Sequence, residues 1–308
     1  MHSLQLGRSP LTSSRLAYGC WRIAEADGAS PGAGGAALTT AFEAGYTLFD
    51  GADVYGGGRA EELLGETLRA VPGMRARVAI TSKCGVRRAG DTAPDAPKRW
   101  DWSRQHIVAS CEASLRRLGV DAIDLYLLHR PDHLGEPQEV VAALDALRSA
   151  GKLRWVGVSN CRPSLLQLLQ SVAPFPLVVN QVEISLAHTA ALEDGTLDQC
   201  MERRITPMAW SPLAGGLLGG RATQSSPQLS PQRIATLAGA LDAVAAAHGV
   251  GRSVVAYAWL LRHPALILPI VGSTQPARIR AAVTAADIEL TREEWYALLE
   301  AARGVPVP

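Results

Sequence analysis

Eight short apolar runs, separated by segments of helical period, constrain this chain more than any other feature. They are RLAYGCW (15–21), YTLFD (46–50), VAITSK (78–83), IDLYLLH (123–129), LRWVGVS (153–159), LVVNQV (177–182), TPMAWS (206–211) and LILPIVG (266–272). Most are continuously apolar rather than alternating, the pattern of parallel strands covered by helices. Between them, Cys111, Leu115 and Leu118 recur at i, i+4, i+7, as do Val140, Leu144 and Leu147, so each segment carries one apolar stripe. Ile234, Leu237, Leu241 and Val244 form another stripe within 232–248. A second helical pattern, SVVAYAWLLRH, precedes the eighth run, so one helix is surplus. A further one starts at TREEW, where Thr291 and Glu294 have capping-box spacing.

Eight β-α units with no linker-like break predict one domain over 1–308, an α/β chain forming a (β/α)8 TIM barrel. Two helices are extra, one after the seventh strand and one at the C-terminus. The alternative is a doubly wound open sheet, which needs a nucleotide loop near its start. PGAGGA supplies Gly32-x-Gly34-x-x-Ala37, but IAEADGAS before it is no buried strand and no acidic residue ends a second strand at a ribose-binding position. The stretch reads instead as the start of the first barrel helix.

Composition narrows the function. At 308 residues and 47% hydrophobic the chain can bury a large core, and 30 basic against 29 acidic residues leave a net charge of +1. Electrostatics therefore propose neither a nucleic-acid nor a membrane partner. MHSLQLGRSP lacks the apolar core of a signal peptide, and no apolar run approaches the ~18 residues of a membrane span. Five widely spaced cysteines without a C-x-x-C fit reduced thiols rather than disulfides or zinc. A cytoplasmic location is expected, and the oligomeric state is left open.

In a barrel of this kind chemistry gathers where the strands end. Asp50 closes the second strand with Tyr55 in the loop after it, Lys83 closes the third and His129 the fourth. Ser159 and Asn160 close the fifth, and Gln181 lies at the end of the sixth. Each has an ordinary explanation alone; four titratable groups on one rim suit proton transfer. A neighbouring ammonium lowers a tyrosine's pKa from ~10, and an aspartate keeps that lysine charged. A histidine nearby can steer a substrate oxygen. His129 and His133 are four apart, but Pro131 breaks any helix between them, so no metal site is expected.

FDGADVYG, SKCG, LLHRPD, GVSN, NQVEIS, AWSPLAGG and PIVGST…R resemble, in order and spacing, the motif series of the aldo-keto reductases over nearly the whole chain. The resemblance implies a barrel that binds a nicotinamide cofactor without a Rossmann domain. It implies Tyr55 as general acid, Lys83 and Asp50 tuning it, and His129 orienting a carbonyl. Gly56 to Gly58 then turn the chain after the tyrosine rather than cradle a phosphate. Ser159, Asn160 and Gln181 would bond the nicotinamide carboxamide, and Trp210 would stack beneath the ring. Ser211, Pro212, Leu213, Gly215 and Gly216 belong to a segment folding over the pyrophosphate. Gly272, Ser273, Thr274 and Arg278 match positions gripping the adenosine end. Gln275 replaces a common lysine and Ala281-Ala282 a common Glu-Asn pair, yet the arginine favours NADP(H), with NAD(H) possible. Trp21, Trp100 and Trp102 are candidates for an apolar pocket taking aldehydes or ketones. The implied activity is NADPH-dependent carbonyl reduction; a Schiff-base lyase using Lys83 and a cofactor-binding regulatory subunit are the alternatives.

Overall fold

A computed structural model of the protein describes residues 2–220 and 229–306. The eight apolar runs become eight parallel strands closed into a barrel: β3 (Ala17–Gly19), β4 (Leu48–Asp50), β5 (Ala79–Cys84), β8 (Ile123–Leu128), β9 (Leu153–Ser159), β10 (Leu177–Glu183), β11 (Thr206–Trp210) and β12 (Leu268–Val271). Each pairs with its sequence neighbour, and β12 closes on β3 through Ile270–Ala17 and Val271–Tyr18. Several strands are shorter than the apolar runs, for a backbone reason. Ser211 and Leu266 adopt left-handed φ of 50° and 55°, which no strand tolerates, so β11 stops before one and β12 starts after the other.

Amphipathic helices cover the barrel: α2 (Ala33–Glu43), α3 (Arg59–Ala70), α5 (Arg104–Leu118), α6 (Pro137–Ser149), α7 (Pro163–Val172), α8 (Thr196–Arg203), α10 (Arg252–Leu261) and α11 (Pro276–Val283). The short helices α1 (Ile23–Ala29) and α4 (Met74–Arg77) fill loops. The two surplus helices are α9 (Pro231–His248) and α12 (Arg292–Arg303). At α12 the Thr291 hydroxyl accepts from the Glu294 N–H and the Glu294 carboxylate accepts from the Thr291 N–H, the reciprocal cap that the spacing predicts. Residues 23–29, just before the glycines, are helical rather than the strand a Rossmann loop requires, and Gly32 caps α2 with φ 83°.

Two features escape the periodicity. Near the N-terminus β1 (Ser3–Gln5) and β2 (Thr12–Ser14) form an antiparallel hairpin. Its Leu4 and the following Leu6 are buried in the barrel interior with Leu48, Leu125, Val179 and Met208, so the hairpin stoppers the end where the strands begin. A second ribbon, β6 (Val86–Arg87) with β7 (Arg99–Trp100), stands on the opposite rim.

Because Leu6 is fully enclosed, Leu6→Ala removes that stopper's packing and leaves a cavity. A loss of about 2–4 kcal/mol in urea unfolding is expected. The rim at the other end should keep its structure below the unfolding range, read by near-UV circular dichroism.

Candidate active site

The opposite end of the barrel holds a cavity of about 350 Å³. Asp50, Tyr55, His129, Ser159, Asn160, Gln181, Trp210–Leu213, Gly215, Gly216, Gly272–Thr274, Arg278 and Trp21 all line it. The strand ends thus bring together every site residue expected from the sequence except Lys83, Trp100 and Trp102.

Lys83 lies just beneath, fully buried at the end of β5. Its Nζ donates to Asp50 Oδ2 at 2.8 Å, to the Gly51 carbonyl at 2.7 Å and to Tyr55 Oη at 3.1 Å. All three ammonium hydrogens therefore have acceptors. The second Asp50 oxygen accepts from Gln181 Nε2 at 2.8 Å, so the buried carboxylate is satisfied on both sides. Burial pulls the Lys83 pKa down, but Asp50 and Tyr55 together raise it above its ordinary value. The lysine is a held cation.

Burial also governs Tyr55. It raises the phenol's pKa; Lys83 opposes that shift without reversing it, and Asp50 adds to it. The sequence argument that lysine would lower this pKa is corrected in its net direction: excluding water costs the phenolate more than one shared ammonium returns. Tyr55 therefore keeps its proton throughout the neutral range. His129 meets the Tyr55 ring edge-on, with centroids 5.8 Å apart. Burial, then the charges of Lys83 and Arg130, hold its pKa well below 6.5, so the imidazole is neutral. Its Nδ1 has no partner among the described residues.

Gly56, Gly57 and Gly58 follow Tyr55 with φ of 57°, 68° and 98°. Three consecutive left-handed residues reverse the chain into α3, a turn open only to glycine at low cost. Arg117 then packs against Gly58 and pairs with the buried Glu61, whose other oxygen accepts from Ser82 Oγ, tying the tyrosine loop to β5.

On the far wall Ser159 Oγ donates to the Gln181 carbonyl at 2.8 Å, and Asn160 Nδ2 donates to Ser159 Oγ at 2.8 Å and to the His129 carbonyl at 3.3 Å. Trp210 Nε1 donates to Asn160 Oδ1 at 3.0 Å. Asn160 thus fixes the indole and the loop after His129 at once, and it does so with φ 57°. Ser211 and Ala214, at 50° and 47°, share that strained conformation beside the glycines 215 and 216.

Trp100 and Trp102 do not line the cavity. Trp100 sits in the β6–β7 ribbon beneath Lys98. Trp102 is 1% exposed, wedged where both Gly85 and Gly135 lack a side chain, and its backbone N–H donates to Asp132 Oδ2. Large rings on a loop near a site are as readily its supports as its walls. Trp21, 61% exposed, remains on the rim. The sequence reading missed Arg22, Arg130, Ser253 and Tyr257 in the lining. Arg130 was within view, directly after His129 in LLHRPD; Ser253 and Tyr257 share a face of α10 at i, i+4.

Among the described residues no cluster of three metal-ligating side chains occurs, and no single helix is long and apolar enough to cross a membrane.

Comparison with known proteins agrees with the fold. The sequence profile of the Aldo/keto reductase family matches residues 15–303. A 6-dehydroglucose reductase of Agrobacterium fabrum is 43% identical over 298 residues, covering 96% of this chain and 97% of that protein. A 6-dehydroglucose reductase of Novosphingobium aromaticivorans is 43% identical over 310 residues, 99% of this chain and 96% of its own. The solved glycerol dehydrogenase of Gluconobacter oxydans superposes with a TM-score of 0.86 at 26% identity, covering 99% of this chain and 97% of that one.

One acid near the site sets a test. Asp53, beside the tyrosine loop, has an enclosed Oδ1 without a hydrogen-bond partner among the described residues, and burial, then Glu61, raises its pKa from 3.8 to about 7. The folded chain therefore holds this proton more tightly than the unfolded one. Stability attributable to Asp53 is fully present at low pH, declines as pH rises from 3.8 to about 7, and stays low above. Asp53→Asn should gain on the order of 1–3 kcal/mol at pH 8 and almost nothing at pH 4, read by urea unfolding at both.

Proposed function

The chain belongs to the aldo/keto reductase family, and from that premise we propose that it reduces aldehydes or ketones to alcohols with NADPH, Tyr55 supplying the proton. The observation that carries the reading is the contact of Lys83 Nζ with Asp50 at 2.8 Å and Tyr55 at 3.1 Å, beneath a cavity into which the tyrosine opens.

The cavity's residues fit a dinucleotide. Arg22 and Arg278 line it and make no ion pair among the described residues, and the loop 211–216, left-handed at Ser211, Ala214, Gly215 and Gly216, presents backbone without side chains at its two glycines. Trp210, braced by Asn160, offers a flat face for a nicotinamide, while Ser159 and Gln181 border it. Ser273, Thr274 and Arg278, at the start of α11, would take the adenosine 2′-phosphate. Bound there, the cofactor supplies a hydride to the carbonyl carbon.

The chain's own groups do the rest. Neutral His129 can donate one N–H to the carbonyl oxygen and so orient it. Tyr55, still protonated, delivers its proton to that oxygen as negative charge builds there. Lys83 stabilises the phenolate left behind, and Asp50 keeps the lysine charged. The same ion pair argues against a Schiff-base lyase, which needs a neutral amine. An acid tyrosine opening into an accessible cavity argues for catalysis over a purely regulatory role. With its strands and lining assembled from one continuous chain, the protein is read as a single-domain enzyme acting in the cytoplasm.

Tyr55→Phe keeps the ring and removes the proton. Turnover of a good aldehyde should fall by ~10²–10⁴, while NADPH affinity by cofactor fluorescence holds. Wild-type rate with intact NADPH binding would show that another group is the acid.

The pH profile provides a second check. Because the Tyr55 pKa is raised and that of His129 lowered, kcat/KM should be flat around pH 6.5 and decline only on the alkaline side. Asp53→Asn is the background for this measurement, since it removes the carboxyl that titrates near 7. A bend near 6.5 in that background contradicts a neutral His129.

Cofactor choice rests on Arg278. Arg278→Ala should weaken NADPH by roughly tenfold or more and NADH far less, since only the former carries the extra phosphate. Equal losses would make the arginine structural.

A further inference from the structure

One charged side chain at the reacting end has no counter-ion among the described residues. Arg130 lines the cavity immediately after His129, and among the described residues it makes neither an ion pair nor a hydrogen bond. Its guanidinium carbon rests 5.2 Å from the centre of the Trp210 ring. Among the described residues the cavity offers no counter-charge: Asp50 is the only carboxylate in its lining, and Lys83 and Gln181 occupy both oxygens.

Two other guanidiniums line the cavity, but both flank the segment 272–278. Arg22 Nη1 is the atom nearest to the open side of Gly272, at 4.0 Å, and Arg278 belongs to the first turn of α11. Under the reading above, the phosphates of the dinucleotide satisfy those two. Arg130 stands at the end of β8, next to the residue that orients the carbonyl, and is left over. An uncharged polyol would be recognised by amides, which accept as well as donate, and by carboxylates, which accept from its hydroxyls. Trp21, Tyr55, His129 and Trp210 line this part of the cavity, where the amides of Asn160 and Gln181 are already engaged by Ser159, Trp210 and Asp50; Arg22 leans over Trp21, and Arg130 over Trp210. A guanidinium placed over an indole ring is pre-ordered for a planar anion, which it can meet with paired, charge-assisted hydrogen bonds that a neutral group cannot match.

We propose that Arg130 determines substrate specificity, selecting aldehydes or ketones that carry a carboxylate, sulfonate or phosphate within reach of its guanidinium while the carbonyl lies between Tyr55 and His129. The anion takes no part in bond making; hydride still goes to the carbonyl carbon and the Tyr55 proton to its oxygen. This inference rests on the carbonyl-reductase reading.

The test compares 4-formylbenzoate with its uncharged isostere 4-formylbenzamide, in the wild type and in Arg130→Met, which keeps an apolar stem over Trp210. The wild type should favour the acid by about tenfold or more in kcat/KM, mainly through KM, and the preference should shrink with salt. In Arg130→Met the ratio should collapse towards one. Equal use of both compounds by the wild type overturns the proposal, as does better use of glyceraldehyde, an uncharged polyol, than of the acid. A parallel loss on acid and amide in the variant overturns it too. So does weaker NADPH binding with the acid preference intact, which would assign Arg130 to the cofactor.

Fluorescence titration of the NADP-loaded protein with benzoate and benzamide separates the two readings. If no carbonyl is turned over, the reductase reading fails; benzoate binding that disappears in Arg130→Met would still support the anion site. Benzoate binding no better than benzamide would remove that as well.

Discussion

The buried pair of Lys83 and Asp50 is the interaction on which the site depends. Two charges taken from water are tolerated only because nothing is left unpaired: three acceptors surround the ammonium, and Lys83 and Gln181 cover the carboxylate. The four residues come from β4, β5, β10 and the loop after β4, so the pair also fixes the relative heights of three strands at the rim. Removing either partner leaves a lone charge in a dry interior, a larger penalty than the pair's own contribution. The proton on Tyr55 is governed from the same place. Dehydration holds it on; the adjacent cation keeps the cost of releasing it finite.

A second layer of contacts acts on the walls rather than on the chemistry. Asn160 connects the ends of β8, β9 and β11 through three hydrogen bonds, and Glu61 connects α3, α5 and β5. Neither side chain has to react for the cavity to keep its shape. The stopper at the far end belongs with them, since Leu4 and Leu6 fill a space that the barrel strands, starting there, leave open.

Much of this was legible in the sequence because strand ends are where apolar runs stop, and a barrel turns eight such stops into one ring. Asp50, Lys83 and His129 could be placed at one rim for that reason alone, and Thr291 and Glu294 marked the last helix by spacing. The remainder depended on distances no periodicity encodes. The N-terminal strands have three residues each, too few to show a period. Trp102 turned inward because two glycines, Gly85 and Gly135, happen to face it. The direction of the Tyr55 shift required knowing how much water is excluded, and Arg130 required knowing that no acid among the described residues pairs with it.

The left-handed residues around the cavity also bear on how such a site can change. At Asn160, Ser211 and Ala214 the backbone itself disfavours β-branched and bulky side chains, whatever their chemistry. Arg130 and Trp21 carry no such restriction. Random replacement would therefore sort the rim into two classes, positions that return few viable alternatives and positions that accept many. Diversity would accumulate at the second class while the cluster of Asp50, Tyr55 and Lys83 stayed still, so the rim can vary without disturbing the buried ion pair.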